Sequence, residues 1–504
     1  MTLSAYRPTP RPRAVPDERR AHPPPPRGPL RGRDTVGSDV IPAQQTGTVT
    51  RPEHGARTIG RVHTGDQLCL TAADLTVRAL GPATVPSPLD GSLLDPRDSV
   101  HYVAETDRVL LDDTLDMAVR RGLPTRELPA FEPGGPRSRL FFDPPRTRVG
   151  VVTCGGLCPG LNNVIRGLVL EACGHYGVAS VTGFRNGYRG LTRAGAADAV
   201  ELTPAAVRGI NDQGGTVLGT SRGGQDPAEM VDTLVARGID VLFVIGGDGT
   251  LRGGQDIADE ATRRGLPIAV VGIPKTIDND IPWIDASFGF QTAFGRAAES
   301  IRAAHTEARS TPNGVGLIKL MGRHSGFIAA YASLASEDVD VVLVPEVPLD
   351  LDGLLAHLGE VLDRQGHAVV VVAEGAGQEH FAGQPQERDA SGNLRMGDIG
   401  ALLRDRITAD ARTRGRDLSL RYVDPGYAIR SVPANPFDSV YCARLAQAAV
   451  HAAMAGRTAT VVGRWHGRFV HLPIALATAS RNQVDPQGDL WLSVLEVTGQ
   501  PVGG

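Results

Sequence analysis

The sequence predicts an α/β protein with two lobes of parallel-rich sheet and an intervening cleft, on three observations. From Val149 onward, short apolar runs alternate with helical stretches, the pattern of parallel strands covered by helices. The alternation comes in two series, separated by a long helical stretch from about Ser287 to Arg309. Two of the apolar runs, VLFV and PIAVVG, lead directly into Ile245-Gly246-Gly247-Asp248-Gly249-Thr250 and Ile273-Pro274-Lys275-Thr276-Ile277-Asp278-Asn279-Asp280. Stretches so placed fall at the carboxyl ends of strands, where open α/β sheets bind ligands.

In chain order, residues 1–60 are rich in proline and arginine, lack a continuous apolar segment of signal-peptide type, and are expected to be a disordered tail. A binding tail and a downstream translation start both remain open for them. Residues 61–143 carry short apolar pieces (VHYVA, RVLLDDTLDMAV) between prolines and read as an extension wrapped on a core. The first lobe, 144–300, runs VGVV, LNNVIRGLVLEAC, VDTLVARG, DVLFVI, IADEATRRG, PIAVVGI. The second, 301–430, runs GVGLIKL, FIAAYASLA, VDVVLVP, LDGLLAHLGEVLDR, HAVVVVAEG, GALLRDRITADA. Residues 431–504 add a small-residue helix, a strand (TATVV) and a tail with GRFVHLPI and DLWLSVL, expected to return to the first lobe.

A chain of 504 residues, 41% hydrophobic, can bury more than one core. The net charge of −4, without a sustained basic stripe beyond the first residues, argues against nucleic acid and membrane surfaces as partners. No run of about 18 apolar residues is present. Five cysteines (Cys69, Cys154, Cys158, Cys173, Cys442) form neither an even framework nor a CxxC pair, which fits a reducing, cytoplasmic setting. Cys154 and Cys158 flank a glycine turn; small thiols packed beside a loop are favoured over a metal or redox role.

Five constellations carry chemistry. Thr153-Cys154-Gly155-Gly156-Leu157-Cys158-Pro159-Gly160 follows a strand and precedes a helix, so backbone amides can approach a phosphate there. A plain tight turn explains the same glycines. Gly219-Thr220-Ser221-Arg222-Gly223-Gly224 offers one cation on a glycine-rich loop, suited to a polyphosphate or simply exposed to water. In Gly247-Asp248-Gly249-Thr250 the backbone can close on a phosphate while Asp248 offers a carboxylate to magnesium. GGDGT also occurs in NAD kinases and lipid kinases, so alone it marks a phosphoryl-donor site. Read as an extended segment, 276–280 turns Thr276, Asp278 and Asp280 to one side, toward the cleft; an Asx-rich turn is the plainer alternative. One carboxylate there can take a proton and another can steady charge or metal. Lys275 is notable because the chain has only one other lysine, Lys319, among 52 basic residues, which suggests a geometry that arginine's planar fork cannot supply. The fifth set is Met321, Gly322, Arg323 and His324, then Glu374, then Arg421-Tyr422-Val423-Asp424-Pro425-Gly426-Tyr427-Ala428-Ile429-Arg430, whose arginines suit a sugar phosphate and whose Glu374 suits sugar hydroxyls; singly, each is more often a surface ion-pair partner, and His324 suits a helix cap or packing equally.

Taken together and in order, these sets resemble the phosphofructokinase family from about residue 139 to 475. FEPGGPRSRLFFDP, GRFVHLPI and TGQP resemble its long subgroup of plant-type and trypanosomatid ATP-dependent enzymes, related to pyrophosphate-dependent ones. The resemblance implies two Rossmann-like lobes, a nucleotide-binding one at 144–300 and a sugar-phosphate-binding one at 301–430. It implies phosphoryl transfer from ATP to the 1-hydroxyl of fructose 6-phosphate, with Mg2+, in a cytoplasmic homodimer or homotetramer acting in glycolysis. Asp278 matches the catalytic base, with Lys275, Thr276 and Asp280 beside it, and Asp248 matches the metal-linked carboxylate. Gly156, Arg222, Gly223, Gly247, Asp248, Gly249 and Thr250 match nucleotide contacts, and Tyr188 falls where short bacterial enzymes stack a ring on adenine. Met321, Gly322, Arg323, Glu374, Arg421, Tyr427 and Arg430 match the sugar-phosphate side. Tyr427 stands where the short enzymes have a phosphate-binding histidine, and Gly314 where they bring an arginine across a subunit boundary.

Donor choice turns on Gly249 and Lys275. Pyrophosphate users in the family resemble GGDD with PKTIDND, short ATP users GGDG with PGTIDND, and the plant-type ATP group GGDG with PKTIDND, the pair found here. An aspartate at 249 would set a carboxylate where the nucleotide's α-phosphate must lie. ATP is therefore the expected donor and pyrophosphate the alternative. A silent sugar-phosphate sensor on the same fold is a further alternative, opposed by the intact Asp248, Asp278 and Asp280.

Overall fold

A strand buried on both faces has no polar side to show to water, so its sequence is a continuous apolar run. This is the condition of the central strands in the computed structural model of the protein, which describes residues 70–89, 102–114, 122, 124, 127–383 and 395–501. Val241–Gly246 and Ala269–Pro274 are buried at every position and run parallel, Val241 opposite Ala269 and Gly246 opposite Pro274. Arg148–Thr153 pairs with the other side of Val241–Gly246, Ser180–Phe184 lies beyond it, and Thr460–Trp465 flanks Ala269–Pro274, all parallel. Antiparallel Arg468–Pro473, Ala130–Pro133 and Val109–Leu110 extend one edge, and the short Val200–Glu201 ends the other, giving nine strands. A second sheet has four parallel strands in the spatial order Val341–Leu343, His367–Ala373, Gly314–Leu320, Ser419–Val423. The expected tail, residues 1–60, and Cys69 lie outside the described residues.

Alternate side chains of each strand enter different cores. Phe243, Val151 and Val271 pack with Ile165 and Leu445, whereas Val244, Val152 and Val270 pack with Leu234 and Ile257. In the smaller sheet Ile318, Val369 and Val371 meet Ile301 and Ile328, while Leu317 and Val370 meet Leu358 and Leu403. The alanine-rich helix Pro436–Met454 packs on Leu161–Leu170, and a Cβ at Gly167 would sit 2.7 Å from that of Ala446. Small side chains on both helices thus set their close approach.

The long connecting helix is Phe290–Arg309, starting three residues later than the sequence pattern indicates. Its start is set by Gly289 at φ 86° and by a cap from elsewhere in the chain. The buried carboxylate of Asp438 accepts from Gly289 N (2.9 Å), Thr292 N (2.7 Å) and Thr292 Oγ1 (2.6 Å). Further pairings tie the described segments before Val149 and after Arg430 to the sheets. Leu75, Val109, Leu111 and Phe131 share a core with Trp283 and Trp465, and Trp465 Nε1 donates to Leu111 O at 2.9 Å. Glu132 is held by Arg137 (2.9 Å), Arg457 (2.8 Å) and His471 (3.1 Å). Beyond Pro473 the chain crosses to the four-stranded sheet, where Trp491 and Val494 of helix Asp489–Thr498 enter its core and Gln500 accepts from Val342 N at 2.7 Å.

Candidate active site

The strand pairing that sets Gly246 opposite Pro274 starts the two glycine- and carboxylate-bearing stretches side by side, and Lys275 N donates to Gly246 O at 2.9 Å. The chain passes from Gly246 through Gly247 into helix Asp248–Arg263. A Cβ at Gly246 would lie 2.2 Å from Thr250 Oγ1, so only glycine permits this strand-to-helix step. Asp248 occupies the first helical turn, where the free amides and the helix dipole favour negative charge. Around a Cβ built at Gly249 there is open space.

After Pro274 the backbone is not extended. It turns at Ile277 and Asp278, with Asn279 at φ 58°. Thr276 Oγ1 accepts from Asp278 N at 3.3 Å and donates to Asp280 Oδ1 at 2.5 Å, while Asn279 Oδ1 accepts from Ser287 N at 2.8 Å. Thr276, Asp278 and Asp280 do share one pocket, but a hydrogen-bonded turn brings them there, not the alternation of a strand. A turn and the carboxylate cluster are thus one structure, the turn being closed by the Thr276 hydroxyl and not by an Asp or Asn side chain.

Burial, then the charges of Asp280 and Glu374, push the Asp278 carboxyl up to about 7, against the Arg323 backbone N–H and Lys275, which favour its ionised form. Its Oδ1 is buried without a hydrogen-bond partner, a state that costs about 1–3 kcal/mol. Glu374 is also raised, by burial, with Arg323 and Lys319 opposing. Lys275 is 6% exposed and donates from Nζ to Gly156 O at 2.7 Å; burial lowers its proton affinity. Burial pushes the Cys154 thiol up to about 12 and raises Cys158 as well, so both are inert packed thiols, Cys158 donating to Phe288 O at 3.2 Å.

A cleft of about 600 Å³ gathers most of the residues singled out in the sequence. From the nine-stranded side come Gly156, Arg222, Gly223 and Gly247 to Thr250, with Lys275, Thr276, Asp278 and Asp280 on the turn; from the four-stranded side come Met321, Arg323 and Glu374, with Arg430 after its last strand. Tyr188 touches the same cleft but is only 5% exposed, and its hydroxyl donates to Thr250 O at 2.5 Å. Little of its ring is open to a stacking base, so its position is that of a support under the first turn of helix Asp248–Arg263. Three residues stand apart. Gly322 lies in loop backbone at φ 130°, Arg421 is exposed and pairs with Glu307 at 3.5 Å, and Tyr427 is 79% exposed. Tyr427 stacks under Arg430 (4.3 Å) in an adjoining recess that also includes Gly156 and Arg222.

The cleft also holds Arg252, Asp256 and Arg481, which the sequence pattern did not single out. Arg252 Nε lies 3.0 Å from Asp248 Oδ1, and Arg481 Nη1 lies 2.7 Å from Asp280 Oδ2. Arg252 sits four residues after Asp248 on a helix, an ion-pair spacing visible in the sequence. Arg481 is 201 positions from Asp280 and carries no local signal. Among the described residues no group of three or more His, Cys, Asp or Glu side chains is arranged to hold a metal.

A glycine-rich loop opening a helix beside a turn of carboxylates, at the carboxyl edge of a parallel sheet, marks a phosphotransferase of the α/β class. The phosphofructokinase family profile matches residues 148–453. A relative from Amycolatopsis methanolica named ATP-dependent 6-phosphofructokinase is 59% identical over 437 residues, spanning 85% of this chain and 95% of the relative. ATP-dependent 6-phosphofructokinase 7 of Arabidopsis thaliana is 46% identical over 376 residues, 74% of this chain and 77% of that one. The solved structure of a pyrophosphate-dependent phosphofructokinase from Marinobacter aquaeolei shares the fold, with TM-score 0.60 at 22% identity over 71% of this chain and 92% of its own. The chain belongs to the phosphofructokinase family.

Proposed function

We propose that the chain is an ATP-dependent 6-phosphofructokinase, transferring the γ-phosphoryl of ATP to the 1-hydroxyl of D-fructose 6-phosphate to give fructose 1,6-bisphosphate and ADP. The observation that carries this reading is the parallel pairing of Gly246 with Pro274, which opens the GGDGT and PKTIDND stretches into one cleft. The room around Gly249 favours a nucleotide donor, since nothing lies within 4 Å of a Cβ built there. Asp278 takes the proton of the attacking hydroxyl; an unpaired oxygen and a proton affinity near neutrality suit a general base. Lys275, anchored on Gly156 O, and Arg222 face the charge that moves onto the leaving phosphate. Met321, Arg323, Glu374 and Arg430 receive the sugar phosphate, with Gly322, Arg421 and Tyr427 at the margin of that subsite.

Magnesium takes few protein carboxylates and completes its shell with water and phosphate oxygens. Asp248, at a helix start beside open Gly249 and with Arg252 3.0 Å from its Oδ1, is the carboxylate that would hold such an ion, which when bound would supply charge neutralisation to the phosphates. In this reading residues 144–300 bind the nucleotide and 301–430 the sugar phosphate, in a cytoplasmic homodimer or homotetramer. Among the described residues no helix is long and apolar enough to cross a membrane.

The test is purified protein with fructose 6-phosphate and magnesium, offered ATP or pyrophosphate in turn, with fructose 1,6-bisphosphate measured directly. Equimolar ADP and bisphosphate are expected with ATP. Turnover with pyrophosphate alone would reassign the donor, and binding of the sugar phosphate without turnover would make the chain a sensor.

A further inference from the structure

The segment from Thr478 to Val484 crosses the acceptor turn and is fastened on both sides. Asn482 donates to Asp280 O from its backbone N (2.9 Å) and to Asn279 O from Nδ2 (3.2 Å). Ser325 Oγ donates to Asn482 O, Gln483 Nε2 to His324 O (2.8 Å) and Val484 N to Glu346 Oε1 (2.8 Å). This backbone is therefore tethered to the 276–280 turn and to the 324–326 loop that follows a strand of the other sheet. From it the Arg481 side chain enters the cleft, Nη1 2.7 Å from Asp280 Oδ2 and Nη2 3.7 Å from Asp248 Oδ2. The other oxygen of Asp280 accepts from Thr276 Oγ1 at 2.5 Å, so both are engaged.

We propose that Arg481 is a positioning residue for phosphoryl transfer, one guanidinium holding Asp280 of the acceptor turn in register with Asp248 of the donor loop. The inference rests on the phosphofructokinase reading. Three physical points support it. Asp280 is only 14% exposed, so its pair with Arg481 is partly shielded from water and holds better than a surface pair. A planar guanidinium addresses two carboxylates with separate nitrogens, which an ammonium cannot do. Asp248 and Asp280 follow adjacent strands of one sheet on separate segments, and in-line transfer depends on the spacing of those segments, with a misplacement of about 1 Å costing on the order of 10²-fold in rate.

The experiment is steady-state kinetics of wild type, Arg481→Gln, Arg481→Lys and Gln483→Ala with ATP, fructose 6-phosphate and magnesium, alongside thermal unfolding. Gln483 lies on the same segment and bonds only to a main-chain oxygen outside the turn. Expected for R481Q is a kcat lower by about 10²-fold with both KM values within about threefold, because the geometry of transfer is lost and binding is kept. R481K should recover part of the kcat, by about tenfold, through one restored ion pair. Q483A should match wild type. A raised KM with unchanged kcat, an R481K protein equal to wild type, or an equal loss in Q483A would each overturn the proposal. So would a gain in turnover at low magnesium for R481Q, which would show the guanidinium competing for Asp248. An inactive wild type would instead count against the proposed function, and this inference would fall with it.

Discussion

Asp278→Asn deletes a charge while preserving shape, and its effects on activity and on stability have opposite signs. Burial and the neighbouring carboxylates raise the Asp278 carboxyl from its ordinary 3.8 to about 7. At about 1.4 kcal/mol per tenfold change in proton affinity, the ionised group costs the fold up to roughly 4 kcal/mol. The native state binds this proton more tightly than the unfolded chain does, so between about pH 4 and 7 it holds more protons, and stability falls as pH rises. Below about pH 4 both states are protonated and the contribution vanishes. D278N should therefore match wild type near pH 4 and exceed it above pH 7, by a gap of a few kcal/mol. Urea unfolding of both proteins at several pH values reads this gap, because carboxylates remote from the Asp278 cluster titrate alike in the two. Activity should move the other way, with kcat lower by about 10²–10⁴-fold, or roughly 3–5 kcal/mol of barrier, and KM little changed. A D278N protein less stable than wild type at pH 8, or a gap independent of pH, would refute the electrostatic account; near-normal turnover would refute the base.

Gly249→Asp meets no steric obstacle, so it should fold normally and raise the KM for ATP by about tenfold or more through like-charge repulsion, while sparing pyrophosphate; an unchanged donor ratio would contradict the role given to Gly249. Lys275→Arg retains charge but must fit a larger fork where Nζ already meets Gly156 O at 2.7 Å, and kcat should drop by about 10²-fold, with activity assays as the check. Glu132→Gln leaves Arg137, Arg457 and His471 around a neutral group and should destabilise by about 3–5 kcal/mol at pH 7. Burial raises the Glu132 carboxyl, but His471 and Arg457 outweigh it and hold the group well below the carboxylate range. The stability it supplies is present above the ordinary 4.5 and lost as pH falls through its depressed value, so the E132Q deficit should persist at neutral pH and narrow only in strong acid.

Much of this molecule is legible in its residues. Runs such as VLFVI and AVVGI must be strands buried on both faces, because no polar side chain interrupts them, and the glycines and carboxylates after them must sit at a ligand edge. The order of the loops likewise pointed to the phosphofructokinase family, which the profile over 148–453 bears out. Periodicity states which face of a segment is buried, yet it does not name the partner that buries it. The start of helix Phe290–Arg309 depends on Asp438, 146 residues from Thr292, and the pinning of Asp280 depends on Arg481, 201 residues away. The enclosure of Tyr188 also comes from a contact that no local pattern encodes. The sequence by itself thus determined the strands, the loops and the chemistry they carry. Tertiary structure alone decided which strand lies beside which, and therefore that Asp248 and Asp278 face one cleft with Arg481 beside them, because pairing and capping across long separations are settled by packing.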